Sequence, residues 1–536
     1  MVHDARDEES SAGHWHLSAL SIAALIGIIV VYGILVVSAV NARGNIWHDE
    51  AASILAATGH QDDWYRIEFD GAEPYGSWAS ASEYQSLLRV DRPFDLQGVS
   101  RSVADHDFHP PFSYWLLHIA LVAGLPLLWA GPVVNILAGG ILAVVLFLLV
   151  SRLVRSTRAA LTAVAASLWS PAIVLAGAEA RHYIVLALMV VALGAVSAWI
   201  VAARGERSAP SVAQLAGFAV VTTIGMLTHH QFFFFAVAAA GIIWLAEYFR
   251  SWRPAVKIGG ALIVGVGVAT LLFPYLVPHS TRLQSILPPI DLTAVPGRMS
   301  LWLTRTFDVV SLDRDLTGLF RFLSRSLIVV AVITVVVMHR PILRWARGVP
   351  EQAAVVVLSV VTILIPAVAY AFGRAPDHAL GIKYVGALWP LAVAALVIVA
   401  VAISPRGWIA VAVVAGVALL STVQWIGDVR VGGESTTAML SEIAAADAVV
   451  TDCASRGNFP TIVHGLDPET PVYLATGEDL MAAIDDGWMA PDGSVYFLHG
   501  SCPDADDVFG ALARAGVREP TRAGAIERYE VWRWER

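Results

Sequence analysis

Runs of about 16 to 22 apolar residues recur along most of this chain, and no other feature constrains its fold as strongly. A helix needs roughly 20 residues to cross about 30 Å of hydrocarbon. Spans are expected near 17–40, 131–151, 159–177, 182–202, 212–228, 231–249, 258–277, 324–338, 352–372, 385–403 and 408–426. Only 15% of the residues are charged, against about 25% in soluble domains. The chain therefore reads as a polytopic α-helical membrane protein of about 11 spans. Its formal net charge of -9 speaks against a nucleic-acid partner. The first 16 residues, "MVHDARDEESSAGHWH", lack a basic n-region and a cleavage site, so 1–16 reads as a cytoplasmic tail before an uncleaved first span.

The loops orient the spans. With the N-terminus inside, the inner loops hold Arg152, Arg155 and Arg158; Arg204 and Arg207; Arg250, Arg253 and Lys257; Arg340, Arg344 and Arg347; and Arg406. That is the positive-inside pattern. Counting "PFSYWLLHIALVAGLPLLW", 111–129, as a further span would reverse the bias, so it is expected to lie at the outer interface. Residues 41–130 then form a long first extracytoplasmic loop, and loops of that length are usually functional. The spans and loops of 17–426 make the membrane domain. From 430 to 536 the chain turns soluble, with short apolar strands and amphipathic helices that predict a small extracytoplasmic α/β domain. Its two cysteines, Cys453 and Cys502, are expected to pair in an oxidising compartment.

This topology collects ionisable residues on the outer face: Asp49 and Glu50, then "DHDFHPP" with Asp107 and His109, then Glu179, Arg181 and Tyr183, then His229 and His230, then Arg374, Asp377, His378, Lys383 and Tyr384. Each has a plain structural reading. Asp49 could cap a helix "EAASILAA", with Glu50 favourably placed at its positive end. The His-Pro-Pro could merely start a helix, and Arg181 could snorkel to the headgroups. Gathered on one face near the hydrocarbon boundary, such groups are functional candidates.

The ordered set "HDEA…DHDFHPP…SP…EARHY…THHQFFF…KY…WP" resembles the GT-C glycosyltransferases of the protein O-mannosyltransferase and lipid A aminoarabinose-transferase type. The resemblance covers about 40–400, with Lys383 where many relatives have Arg. It implies a GT-C fold and transfer of a monosaccharide, mannose or arabinose, from a polyprenyl-phosphate donor. The acceptor would be an extracytoplasmic hydroxyl of a glycan, glycolipid or protein. Chemistry then suggests roles. Asp49 would be the general base of an inverting single displacement, with Glu50 assisting or holding the acceptor. Asp107 and His109 would shape the acceptor side or support Asp49. Arg181, Lys383, Tyr183 and Tyr384 would bind the donor phosphate. His229 and His230 are additional candidates. A divalent metal is compatible with His109, His229, His230 and the carboxylates, but the spacing picks out no ligand set, and no cofactor is assigned. The alternative is a lipid or small-molecule transporter or flippase. Such proteins place charges near mid-span within repeated halves, and neither sign appears here.

Overall fold

The computed structural model describes residues 18–107, 109–203, 210–248, 252–278, 280, 293–307, 339–372, 382–452, 459–488, 491–500, 505–514, 517, 520–526 and 529–535. The expected span at 324–338, both cysteines, and Arg374, Asp377 and His378 lie outside the described residues.

The chain opens with α1 (Ala19–Arg43) and continues through the helices of the first loop: α2 (His48–Thr58), α3 (Gln61–Asp70), α4 (Ala81–Ser86), α5 (Leu96–His106) and α6 (Phe112–Val122), with strand β1 (Trp78–Ser80) between α3 and α4. The apolar bundle follows: α7 (Leu127–Val154), α8 (Thr157–Leu168), α9 (Pro171–Ala178), α10 (Tyr183–Ala202), α11 (Val212–Thr228), α12 (Phe232–Tyr248) and α13 (Trp252–Leu272). Then come α14 (Val295–Phe307), α15 (His339–Gly348), α16 (Pro350–Ala371), α17 (Ile382–Ile403) and α18 (Trp408–Ala444). Among the described residues, seven helices are long and apolar enough to cross a membrane, or eight if the bent pair α8–α9 is one span. The shorter α11 and α12 also coincide with expected spans. The 11-residue α6 is about 16 Å long at 1.5 Å per residue, well short of a crossing.

Two departures from the expected spans have local causes. The run 159–177 is not one helix: α8 and α9 meet at 57°. Pro171 cannot donate its backbone nitrogen and excludes helical geometry at the residue before it. Ser170 instead caps α9, its Oγ accepting from Ile173 N–H at 3.4 Å. The last span does not end near 426. Instead α18 runs 37 residues, about 55 Å, and carries the chain beyond the hydrocarbon. On the way it crosses the end of α1 at Gly433, where a Cβ would sit 2.0 Å from the Ala42 carbonyl oxygen. Only glycine permits that approach, and the crossing fixes where the first loop begins.

The C-terminal part forms a six-stranded sheet in the order β1-β3-β2-β4-β6-β5, with β2 (Ala448–Thr451), β3 (Pro471–Leu474), β4 (Ser494–His499), β5 (Thr521–Ile526) and β6 (Tyr529–Glu535). Strand β2 is parallel to β3 and β4, and the other pairings are antiparallel. The sheet is not confined to 430–536. Its edge strand β1 comes from the first loop, with Trp78 opposite Tyr473 and Ser80 opposite Pro471. The last strand in the chain, β6, lies inside the sheet, and β5 takes the edge. Strand alternation sorts the side chains into two layers. Val450, Val495, Phe497 and Trp534 face Leu480, Val508 and Leu512 of the covering helices α20 (Gly477–Asp485) and α21 (Ala505–Arg514). Val449, Val472, Leu474 and Leu498 join the main core through α19 (Phe459–Val463).

The first loop and the sheet are locked together. Trp64 stacks on Phe459 at 5.9 Å, Gln85 Nε2 donates to the Val463 and Leu466 carbonyls at 2.9 Å, and Asn45 Nδ2 donates to the Thr461 carbonyl at 3.2 Å. Trp78 lies flat on Trp488 at 5.6 Å and tilts against Tyr473 at 5.4 Å. Replacing Trp78 with alanine should therefore cost about 1–3 kcal/mol and release β1. Hydrogen exchange at Ala79, Ala81 and Ser82 checks this, and protection unchanged from the parent would refute it.

Candidate active site

The chain leaves α1 at Arg43 and re-enters a helix at His48, so Asp49 and Glu50 occupy the first turn of α2. There the pair divides its duties. Glu50 is the capping residue: its Oε2 accepts from the Trp47 backbone N–H at 2.8 Å, the return half of a capping box. Oε2 also takes Arg43 Nη1, Oε1 takes Arg43 Nη2 at 2.9 Å, and Oε1 accepts from the Ala180 N–H at 2.9 Å. Glu50 is 1% exposed and Arg43 3%. A carboxylate has about four acceptor sites, and the protein fills them. Glu50, expected to hold the acceptor or assist catalysis, thus has its oxygens taken up by Arg43 and the Trp47 and Ala180 amides. Asp49 does not cap the helix either. It is the second helical residue and stands half-buried.

The Ala180 bond brings the "EARHY" segment onto α2. The segment is held from the other side by Asn135 of α7, whose Nδ2 donates to the Ala176 carbonyl at 3.2 Å and the Glu179 carbonyl at 2.5 Å. Close approach is possible because residue 131 is glycine: a Cβ there would lie 2.3 Å from Ala180 Cα. So placed, Arg181 Nη1 donates to the Asp49 carbonyl at 3.3 Å and to Ser53 Oγ at 3.1 Å. Burial opposes the Arg181 charge. Tyr183, Tyr114, Asp49 and Asp107 outweigh it and hold the pKa well above the usual arginine value. Arg181 is therefore a fixed cation beside Asp49. Tyr183 is almost fully buried against His182, with ring centres 4.3 Å apart.

"DHDFHPP" forms the turn from α5 into α6, with Pro111 as the cap of α6. Asp107, 7% exposed, accepts at Oδ1 from the His109 backbone N–H and from His109 Nδ1, both at 3.0 Å. A carboxylate can only accept, so Nδ1 carries the proton and Nε2 is turned free of this contact. Burial first, and then Asp107, pushes the Tyr114 hydroxyl far above its ordinary pKa. Asp107 therefore supports His109, and both are buried, in keeping with a supporting place rather than an open one.

His109, His182 and His229 converge, each buried, with one ligand-capable atom of each within 4.8 Å of the others. Their rings are 4.2 to 5.5 Å apart. Burial, then His109 and His230, pushes His229 well below the usual histidine pKa, so it is neutral. Its Nδ1 accepts from the Gln231 N–H at 3.1 Å, which puts its own proton on Nε2. A divalent cation in the trio would need nitrogens about 2.0–2.1 Å from it, and a neutral His229 binding through either nitrogen would lose its Gln231 contact. His230 stands half-buried outside the trio. Lys383 and Tyr384 lie in the first turn of α17, but their side chains are outside the described residues.

Sequence reasoning missed Arg43 and His182. A signal existed for both. Arg43 is a lone cation at the C-terminal end of the first span, the end at which the positive-inside reading of the loops gives no reason for one. His182 sits inside the same short segment as Arg181. Removing the Glu50 charge should leave Arg43 buried without its ion pair, at about 3–5 kcal/mol. Glu50→Gln should therefore lower the unfolding temperature, and a double variant Arg43→Met, Glu50→Leu should recover part of the loss. A Glu50→Gln protein as stable as the parent would sink this structural assignment.

No protein-family model matches the sequence, and no curated protein matches it. Solved structures do match in three dimensions. One is the crystal structure of ArnT from Cupriavidus metallidurans in the apo state, with a TM-score of 0.55 and 14% identity over 96% of this chain and 98% of that chain. The same protein bound to undecaprenyl phosphate matches with a TM-score of 0.53, at the same identity and coverage. Along nearly its whole length the chain therefore shares the GT-C fold of ArnT.

Proposed function

We propose that this protein is a membrane glycosyltransferase that moves a monosaccharide from a polyprenyl phosphate to an acceptor hydroxyl outside the cell. The observation that carries the reading is the division among the three acids expected at the site. Glu50 and Asp107 are buried and committed to Arg43 and His109, while Asp49 is half-buried beside the fixed Arg181 cation. The ArnT of shared fold binds undecaprenyl phosphate, which supports a lipid phosphate as the donor's carrier.

The mechanism is one displacement. Asp49 takes the proton of the acceptor hydroxyl as its oxygen attacks the anomeric carbon. The bond from that carbon to the phosphate oxygen breaks, and the configuration inverts. The departing lipid phosphate gathers negative charge, which Arg181 and Lys383 stabilise. Tyr183 is too buried to reach far and supports Arg181 more readily than phosphate, while Tyr384 stands next to Lys383 as a further hydrogen-bond donor. Mannose or arabinose is the sugar. The membrane orientation follows from the arginine bias: N-terminus inside, with the first loop, α6 and the C-terminal sheet outside.

Asp49→Asn should keep its fold, because Glu50 supplies the cap, yet lose turnover by about 10²–10⁴-fold. Sugar release from a polyprenyl-phosphate donor in reconstituted vesicles measures it, and near-normal turnover would reject Asp49 as the base. Topology is tested separately. In a background without cysteines, a cysteine at Asp467 should react with an impermeant thiol reagent from outside, and one at Arg155 should not. The reverse pattern would invert the proposed orientation.

A further inference from the structure

We infer that the end of the bundle opposite the candidate site binds the head group of an anionic phospholipid, through arginines of the α7–α8 turn and of α15. The inference goes beyond the transferase reading and stands without it. Arg152 lies in the last turn of α7, Arg155 is the C-cap of that helix, and Arg158 lies in the first turn of α8. Arg344 and Arg347, three residues apart, share a face of α15. The two groups are tied together: Gln352 Nε2, in the first turn of α16, donates to the Leu153 carbonyl at 2.7 Å. All five arginines are exposed, and among the described residues none of their guanidinium groups has an ion pair or hydrogen bond. The stretch 150–160 holds no acid, and 344–352 holds only Glu351.

The outward face of α7 says what the partner is. Leu137, Ile141, Val144 and Leu148 are exposed and recur at steps of four and three residues, so they form one apolar stripe. Arg152 follows Leu148 by four residues and continues that stripe as a cation. Val357, Val360 and Leu364 make a second exposed stripe on α16, running away from the same end. A ligand that fits both parts has apolar tails for the stripe and an anion at its end, as a phospholipid has. Arg155 stands about 36 Å along α7 from Gly131, where the segment of the candidate site packs. That exceeds the about 30 Å of hydrocarbon. The arginines therefore reach one boundary of a bilayer when the candidate site lies at the other.

Charge narrows the class of lipid. A guanidinium offers phosphate oxygens a rigid fork of donors. A zwitterionic head group brings a cation of its own into a cluster of five like charges, whereas an anionic one brings none. Arg155 also has φ +54, a left-handed conformation that favours glycine. Glycine at that position keeps the turn and removes the charge, so Arg155→Gly should fold at least as well as the parent.

The test is native mass spectrometry of the full chain in detergent, titrated with phosphatidylglycerol or with phosphatidylcholine of the same acyl chains. The parent should bind phosphatidylglycerol more tightly. One arginine near a charged lipid is worth roughly fivefold in affinity. Arg155→Gly should weaken phosphatidylglycerol by about that factor and leave phosphatidylcholine unchanged. Combining Arg152→Gln, Arg155→Gly, Arg344→Gln and Arg347→Gln should abolish the preference. Arg430→Gln, Arg514→Gln and Arg522→Gln remove arginines that acids already pair, and together they should change nothing. Thermal unfolding in lipid-free detergent checks that each variant is folded, and should the combined variant not be, Arg155→Gly decides. Equal binding of the two lipids by the parent, a preference unchanged in the folded variants, or an equal loss in the paired-arginine control overturns the proposal.

Discussion

The buried contact between Arg43 and Glu50 holds three pieces of the protein in register: the end of the first span, the start of α2 and the segment 179–183. Taking both charges out of water is expensive, and such a pair persists only when its remaining hydrogen-bonding capacity is also met. The Trp47 and Ala180 amides meet it. The candidate site follows from this arrangement, because Ala180, pinned to Glu50, is the residue before Arg181, which reaches the Asp49 carbonyl.

Around that contact the fold supplies close-packed surroundings for the candidate site. α1 and α18 cross at Gly433, and α7 meets the 180 segment at Gly131. Farther out, the first loop gives an edge strand to the C-terminal sheet, so the two parts are joined by backbone hydrogen bonds. The proposed reaction needs a proton acceptor and a cation near one another, aligned to a lipid phosphate on one side and an acceptor hydroxyl on the other. A loop carried only by its own ends could not hold that alignment.

The division of labour between the adjacent acids was only half legible in the sequence. "HDEA" marks two carboxylates at a helix start, and capping chemistry predicts that one is structural. Capping was the plain alternative to a catalytic role for Asp49, and the structure gives the cap to Glu50, because the helix starts at His48 and the capping-box position falls three residues after Trp47. Likewise the histidines of "DHDFHPP" and "THHQFFF" were visible, but the third member of the trio, His182, is defined only by the meeting of three loops. Local patterns do not encode which loops meet.

The sequence by itself determined the membrane class, the positions of most helices and the gathering of candidate residues at the span ends. These follow from hydrophobic runs and charge bias, which act over neighbouring residues and need no knowledge of what lies across the bundle. Even the break at Ser170–Pro171 is a local effect that the letters contain. Only the tertiary structure decided that β1 belongs to the C-terminal sheet, that Glu50 is saturated, and that Gln352 joins α16 to the end of α7. Each of these depends on hydrogen bonds or burial between residues tens to hundreds of positions apart. Such contacts form only when segments far apart in the chain pack against one another.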